Sequence, residues 1–177
     1  MKDVQKLFPV SRIGNEKSPK LIILLCNPGG DVKYYKRLPE YVMDKDKFYK
    51  SSGMNLHTYR EYCAWWDNIL KKTDKYIQDT DILALEYYPY HTKRSNDSKN
   101  WLWDDFAQKS LIQNKKLLLK HIENGVRVFG YYYGFWLSDP DIANRLPAST
   151  FGKSKNRLGQ SLKLKDLETW LEKQYDK

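Results

Sequence analysis

The sequence predicts an α/β fold of three layers, α/β/α, with helices on both faces of a central, mostly parallel sheet. Two observations carry this. Leu21–Cys26, Asp81–Tyr88 and Val126–Tyr133 are short apolar runs without clean alternation. Such runs read as strands covered on both faces. Between them lie segments with helical spacing. Alternating strand and helix implies parallel strands joined by right-handed crossovers.

Each element has its own justification. The first strand, Leu21–Cys26, stops at Asn27-Pro28-Gly29-Gly30-Asp31, where Pro and two Gly allow an unusual turn. Asp31 is placed to cap a short helix through Val32-Lys33-Tyr34-Tyr35. Residues 38–58, with Tyr41, Phe48 and Tyr49, read as an irregular excursion over the sheet edge. Tyr59, Tyr62, Cys63, Trp66, Ile69 and Leu70 then form one helical stripe, with Lys71-Lys72 in its last turn, where cations suit the dipole. The second strand closes at Pro89-Tyr90-His91-Thr92, and a polar loop, Lys93 to Asn100, leads to Trp101-Leu102-Trp103. The longest helix is expected over 105–124, with Ile112, Leu118, Leu119 and Ile122 along its stripe and Gly125 as its stop. After the third strand, Asp139-Pro140 is a helix start, a cap followed by Pro in the first turn, and that helix ends near Leu146-Pro147. A basic loop, Lys153 to Arg157, precedes a last helix with Leu167, Trp170 and Leu171 on one face. A fourth strand is expected at either Ala148–Phe151 or Ser161–Leu164.

The 177 residues fit one domain spanning 1–177. With 41% hydrophobic and 30% charged residues the chain is globular rather than disordered. Its mean hydropathy of -0.77 partly reflects 14 tyrosines, which score as polar but pack well. Lys plus Arg exceeds Asp plus Glu by 31 − 22 = +9, which favours a polyanionic partner and also serves solubility. The longest uninterrupted apolar run is far short of the ~20 residues of a membrane span. The first residues, Met1 to Lys6, lack a signal-peptide core. Cys26 and Cys63 sit in apolar segments and read as reduced, packed thiols of a cytosolic protein. His57, His91 and His121 lack metal-ligand spacing, which argues against zinc.

In parallel sheets ligands bind beyond the carboxyl ends of the strands. That rule gathers Asn27–Asp31, Tyr88–Arg94 and Tyr133–Trp136 at one rim, with the Lys153–Arg157 loop as a further neighbour. Neither GxGxxG nor GxxxxGK[ST] occurs, so dinucleotide and P-loop chemistry are disfavoured. The Asn27 carboxamide can hold a water or a base edge without charge, or serve its own turn. His91, beside Lys93 and Arg94, can donate to an oxyanion when neutral or stabilise an anionic leaving group when charged. Glu86, in an otherwise apolar strand, either orients a polar group or pairs with a basic helix face. Tyr35, Tyr88, Tyr90 and Tyr133 join other aromatics at this mouth, and aromatics mixed with cations suit stacking on unpaired bases. The remaining basic residues, including Lys115-Lys116, read mostly as solvated.

Leu24-Leu25-Cys26-Asn27-Pro28-Gly29 resembles the first motif of the uracil-DNA glycosylase superfamily, in its Asn-Pro-Gly version. Glu86-Tyr87-Tyr88-Pro89-Tyr90-His91 and the Gly130–Trp136 strand end look like an uncharacterised bacterial and phage branch of it. The resemblance spans roughly residues 21 to 160. It implies a three-layer fold and a flipped base held beside the first motif. Asn27 matches the residue that positions or activates water, and Tyr34 or Tyr35 is nearest to the aromatic that stacks on the base. The family's His-Pro-Ser type loop corresponds to Arg145-Leu146-Pro147-Ala148-Ser149-Thr150, which holds Pro and Ser but no His. The asparagine usual at the end of strand two has no obvious counterpart.

The expectation is a nucleobase-binding protein that hydrolyses an N-glycosidic bond of a flipped base in DNA. Asn27 and His91 would be catalytic, with no metal or organic cofactor. Pro28, Gly29, Gly30, Tyr35, Tyr88, Tyr90 and Tyr133 would line the base site. Lys93, Arg94, Lys153, Lys155 and Arg157 would meet the phosphates. The alternatives are a non-catalytic nucleic-acid or nucleotide-binding module on the same scaffold, and a basic protein-interaction domain.

Overall fold

Four strands pair in the order β1-β3-β2-β4, with β1 Arg12–Gly14, β2 Leu21–Leu25, β3 Ile82–Glu86 and β4 Arg127–Gly130. The computed structural model describes residues 10–26, 56–90, 102–130, 134–147, 150 and 164–175. Its helices are α1 Leu56–Tyr62, α2 Ala64–Thr73, α3 Asp105–Glu123, α4 Gly134–Leu137, α5 Pro140–Arg145 and α6 Leu164–Tyr175. The molecule is thus a mixed α/β fold.

The three strands expected from their apolar runs are parallel and adjacent, with β2 central. Leu21 pairs with Ile82 on one side and Arg127 on the other, and Leu24 pairs with Leu85 and Gly130. β2 and β3 are buried throughout. Continuous apolar sequence is what a strand with no solvated face requires. Register and alternation set the two faces. Ile23, Ala84 and Phe129 share one face, where the Phe129 ring lies 5.5 Å from Trp170 of α6. Lys72 of α2 reaches Glu168 of α6 at 2.7 Å on that side. Leu24, Leu85 and Arg12 share the other face, where Arg12 hydrogen-bonds Asn114 of α3 at 3.2 Å.

The fourth strand is not where it is expected. Leu164 opens α6 instead of closing a strand, and residues 148–149, 151 and 161–163 lie outside the described residues. The fourth strand is β1, antiparallel at the edge beside β3. Its backbone hydrogen bonds carry it: Glu86 N–H donates to Ser11 O at 2.9 Å and Asn15 N–H to Ile82 O at 2.9 Å. Gly14 sits at φ +104°, and a Cβ there would lie 2.2 Å from the Ile82 carbonyl oxygen. Only glycine permits that approach.

The stripe over 59–70 is divided between two helices. Cys63 is extended at φ -115°, ψ 104°. Its N–H still donates to Tyr59 O at 3.0 Å, and its carbonyl accepts from Asp67 N–H at 3.0 Å. Tyr59, Cys63, Trp66, Ile69 and Leu70 are therefore all buried along one line; the Tyr62 side chain is outside the described set.

The expected face of α3 needs correction. Ile112 is 53% exposed, and the buried positions are Ala107, Ser110, Asn114, Leu118 and His121. Leu119 and Ile122 are only partly buried. Helix positions two apart point about 200° away from each other, so burying Asn114 turns Ile112 outward. Asn114 is buried because its amide donates to Ser11 O at 2.7 Å and Glu86 O at 3.0 Å. His121 Nε2 lies 3.0 Å from Glu16 O. Polar side chains thus tie α3 to the backbone beside the edge strand.

The other helix signals hold among the described residues; the Asp31 cap with its short helix over 32–35 and the excursion over 38–55 lie outside them. Gly125 follows α3 at φ +77°. Asp139 caps α5, accepting from Asp141 N–H at 3.0 Å and Ile142 N–H at 3.4 Å, with Pro140 in the first turn. Leu167, Trp170 and Leu171 are buried together.

Candidate functional site

The strand order places the carboxyl end of β2 between those of β3 and β4. The chain leaves β2 for β3 on one side, then passes to β4 on the other. Such a reversal opens a crevice at the strand ends. Leu25 and Cys26 approach it from β2, Glu86 to Tyr90 from β3 and Gly130 from β4.

Backbone bonding holds this rim together. Tyr87 N–H donates to Leu25 O at 3.1 Å, and Tyr88 N–H donates to Cys26 O at 2.8 Å. The Trp136 indole N–H donates to the same Leu25 carbonyl at 2.7 Å. Trp136 is fully buried. It fills the deep corner beside β2 while giving its one polar atom a partner.

Above this floor lies an aromatic layer. Tyr87 has Phe135 at 5.4 Å, Trp136 at 5.4 Å and Trp103 at 6.1 Å between ring centroids. Tyr88 has Trp103 at 5.3 Å and Tyr90 at 5.5 Å, and Tyr90 has Phe106 at 6.0 Å. The Tyr88 hydroxyl accepts from Leu102 N–H at 2.7 Å. The Tyr90 hydroxyl donates to Asp104, whose other oxygen accepts from Ala107 N–H at 2.9 Å as the cap of α3. Two tyrosines thereby fasten residues 102–104 across the strand end. Burial raises the Tyr88 phenol above its ordinary value, while the bond from Tyr90 lowers the Asp104 carboxyl. Trp103 remains 37% exposed and Leu102 66% exposed.

Glu86 is the chemically unusual member. It is the last residue of β3, paired in register with Leu25, and only 5% exposed. Burial raises its carboxyl well above its ordinary value, which favours the protonated, neutral form. Its Oε2 is buried and accepts no hydrogen bond among the described residues. Burial, with Glu86 as a smaller contributor, also raises the Cys26 thiol. Cys26 and Cys63 are both buried and outside any disulfide, as their apolar segments imply.

Of the expected site residues, Tyr88 and Tyr90 are described, and they lie together at this rim. Tyr88 is buried with its hydroxyl engaged, so it works here as a fastener of residues 102–104. Asn27, Pro28, Gly29, Gly30, Tyr35, His91, Lys93, Arg94, Tyr133, Lys153, Lys155 and Arg157 lie outside the described residues. The chain connects Asn27 directly to Cys26, His91 to Tyr90, and Tyr131 to Gly130. Lys115 is half-buried and bonded to Asp139 at 2.5 Å rather than freely solvated. Phe135 and Trp136, in the segment expected at this rim, lie against Tyr87, whereas Trp103 joins the layer through contacts that sequence spacing does not reveal.

A second charged cluster sits at the opposite end of the sheet. Arg60 donates to Asp74 at 2.9 Å and 3.1 Å and reaches Asp67 and Asp79 at 3.4 Å, while His57 Nδ1 lies 2.9 Å from Asp79. It joins α1, α2 and the turn before β3. Among the described residues no group of three or more His, Cys, Asp or Glu could hold a metal ion. No described helix is long and apolar enough to cross a membrane. No family model, curated protein or solved structure matches the chain.

Proposed function

We propose that the protein binds a nucleobase of DNA at this rim, on a three-layer scaffold of the uracil-DNA glycosylase type, and hydrolyses its N-glycosidic bond. The observation that carries the reading is the central place of β2. It makes the segment opening with Asn27 continuous with the strand end that β3 and β4 flank. The half-exposed Trp103 beside Tyr87 supports it, because an aromatic face at a strand end offers a base a stacking surface.

The chemistry follows from the residue types. Asn27 orients a water toward the anomeric carbon. The water oxygen bonds to that carbon as the bond to the base nitrogen breaks, and the electron pair leaves with the base. The sugar passes through an oxocarbenium-like state. His91 or a neighbouring cation stabilises the departing base, and the water's proton passes to the base or to solvent. Electrostatic preorganisation supplies most of the acceleration. Lys93, Arg94, Lys153, Lys155 and Arg157 neutralise phosphates, making affinity fall with salt.

The test is an excision assay on single- and double-stranded oligonucleotides carrying a panel of modified bases, run beside a salt titration of binding. Product from one base, with single-turnover rate reduced about 100-fold or more in Asn27→Ala, supports the mechanism. Binding without product from any base favours a non-catalytic module. Absence of binding even at low salt overturns the reading.

A further inference from the structure

We propose that the Glu86 carboxyl is the group with which this rim reads a bound base, its Oε2 being kept for the amide-like edge of the ring. The inference rests on the nucleobase reading above and adds a recognising residue to it.

The position comes first. Glu86 closes β3 beside Leu25 of the central strand, one residue before the backbone turns across Cys26. The four residues before it in β3, Ile82 to Leu85, are apolar and buried. Burying a carboxyl without a partner is unfavourable, and Oε2 has no partner among the described residues. The Glu86 backbone is fully engaged, its N–H with Ser11 O at 2.9 Å and its carbonyl with Asn114 at 3.0 Å. The strand end is therefore fixed while a buried side-chain oxygen has no partner among the described residues.

The protonation state then defines what the group reads. A neutral carboxyl presents one O–H donor beside one carbonyl acceptor. That pair complements an acceptor next to an N–H on the rim of a base. An ionised carboxylate would only accept. The described titratable neighbour that acts on the same site is the Cys26 thiol, which burial keeps neutral. Nothing described there forces the carboxyl to ionise.

The probe is a pair of labelled single-stranded oligonucleotides with identical flanks, one carrying deoxyuridine at its centre and the other a tetrahydrofuran abasic analogue. The wild type is expected to bind the deoxyuridine strand about tenfold more tightly, the scale of one buried hydrogen bond. Glu86→Leu should bring the two affinities together and leave the abasic affinity unchanged. Glu86→Met, similar in length and without hydrogen-bonding oxygens, gives the same readout should Glu86→Leu not fold. Glu86→Gln keeps a donor and an acceptor and should keep most of the preference. A preference that survives in Glu86→Met overturns this inference and leaves the nucleobase reading standing. Loss in Glu86→Gln as complete as in Glu86→Met overturns the donor–acceptor argument. A wild type that binds neither strand overturns the nucleobase reading and this inference with it.

Discussion

Raising the pH should destabilise this protein through Glu86 across the mildly acidic range. In the unfolded chain the carboxyl ionises near its ordinary value of 4.5, whereas burial holds the proton well above that in the folded state. Between the two values the folded form binds one more proton than the unfolded form. Stability then falls as pH rises, by about 1.4 kcal/mol per pH unit, and levels off once the folded-state value is passed. Below the unfolded value both states are neutral, and the penalty vanishes. The other described groups with shifted values do not imitate this slope. Asp104 and Asp139 are lowered by hydrogen bonds from Tyr90 and Lys115, so their contribution is lost as pH falls through values below 3.8. The Cys26 thiol is raised from 9.0 and titrates on the alkaline side. The assay is urea unfolding followed by tryptophan fluorescence from about pH 4.5 to about pH 7, on wild type and Glu86→Gln. A packing change at glutamine displaces the whole curve without altering its slope, so the readout is the difference in slope. Parallel profiles, within about 0.3 kcal/mol per pH unit, would show that Glu86 ionises normally in the folded protein and would remove the basis for a neutral carboxyl.

Asp104→Ala should cost about 1–2 kcal/mol in urea unfolding, because one carboxylate both caps α3 and accepts from Tyr90; an unchanged midpoint would mean that residues 102–104 are not fastened as described. Ile112→Lys should shift stability by no more than about 0.5 kcal/mol, since the side chain faces solvent. Leu118→Ala should cost about 2–5 kcal/mol as a cavity in the core. Similar costs at the two positions would place the buried face of α3 elsewhere.

The parallel strands were legible because a strand covered on both faces has to be continuously apolar, and Leu21–Leu25 and Ile82–Leu85 are. β1 was not legible for the complementary reason. An edge strand of three residues needs only backbone pairing, and Arg-Ile-Gly carries no period to detect. The face of α3 was hidden by chemistry rather than length. A polar side chain that satisfies backbone carbonyls beside the edge strand is drawn inward, so Asn114 and His121 displaced the apolar residues on which a hydropathic stripe is drawn. The halves of the rim differ likewise. That Cys26, Tyr88 and Gly130 would converge follows from parallel topology alone, and chain order reveals it. That Trp136 would reach back 111 positions to the Leu25 carbonyl depends on strand order, which no local pattern encodes. Glu86 lies between these cases. Its type and its place at the end of an apolar strand are visible in the sequence, and they pose the choice between a basic partner and an orienting role. Register decides what surrounds it. Its Oε2 has no hydrogen-bond partner among the described residues, and burial raises the carboxyl, which favours the neutral form. A neutral acid at the end of a parallel strand can give and accept a hydrogen bond at once, so the same substitution, Glu86→Met, separates what it does for folding from what it does for a ligand.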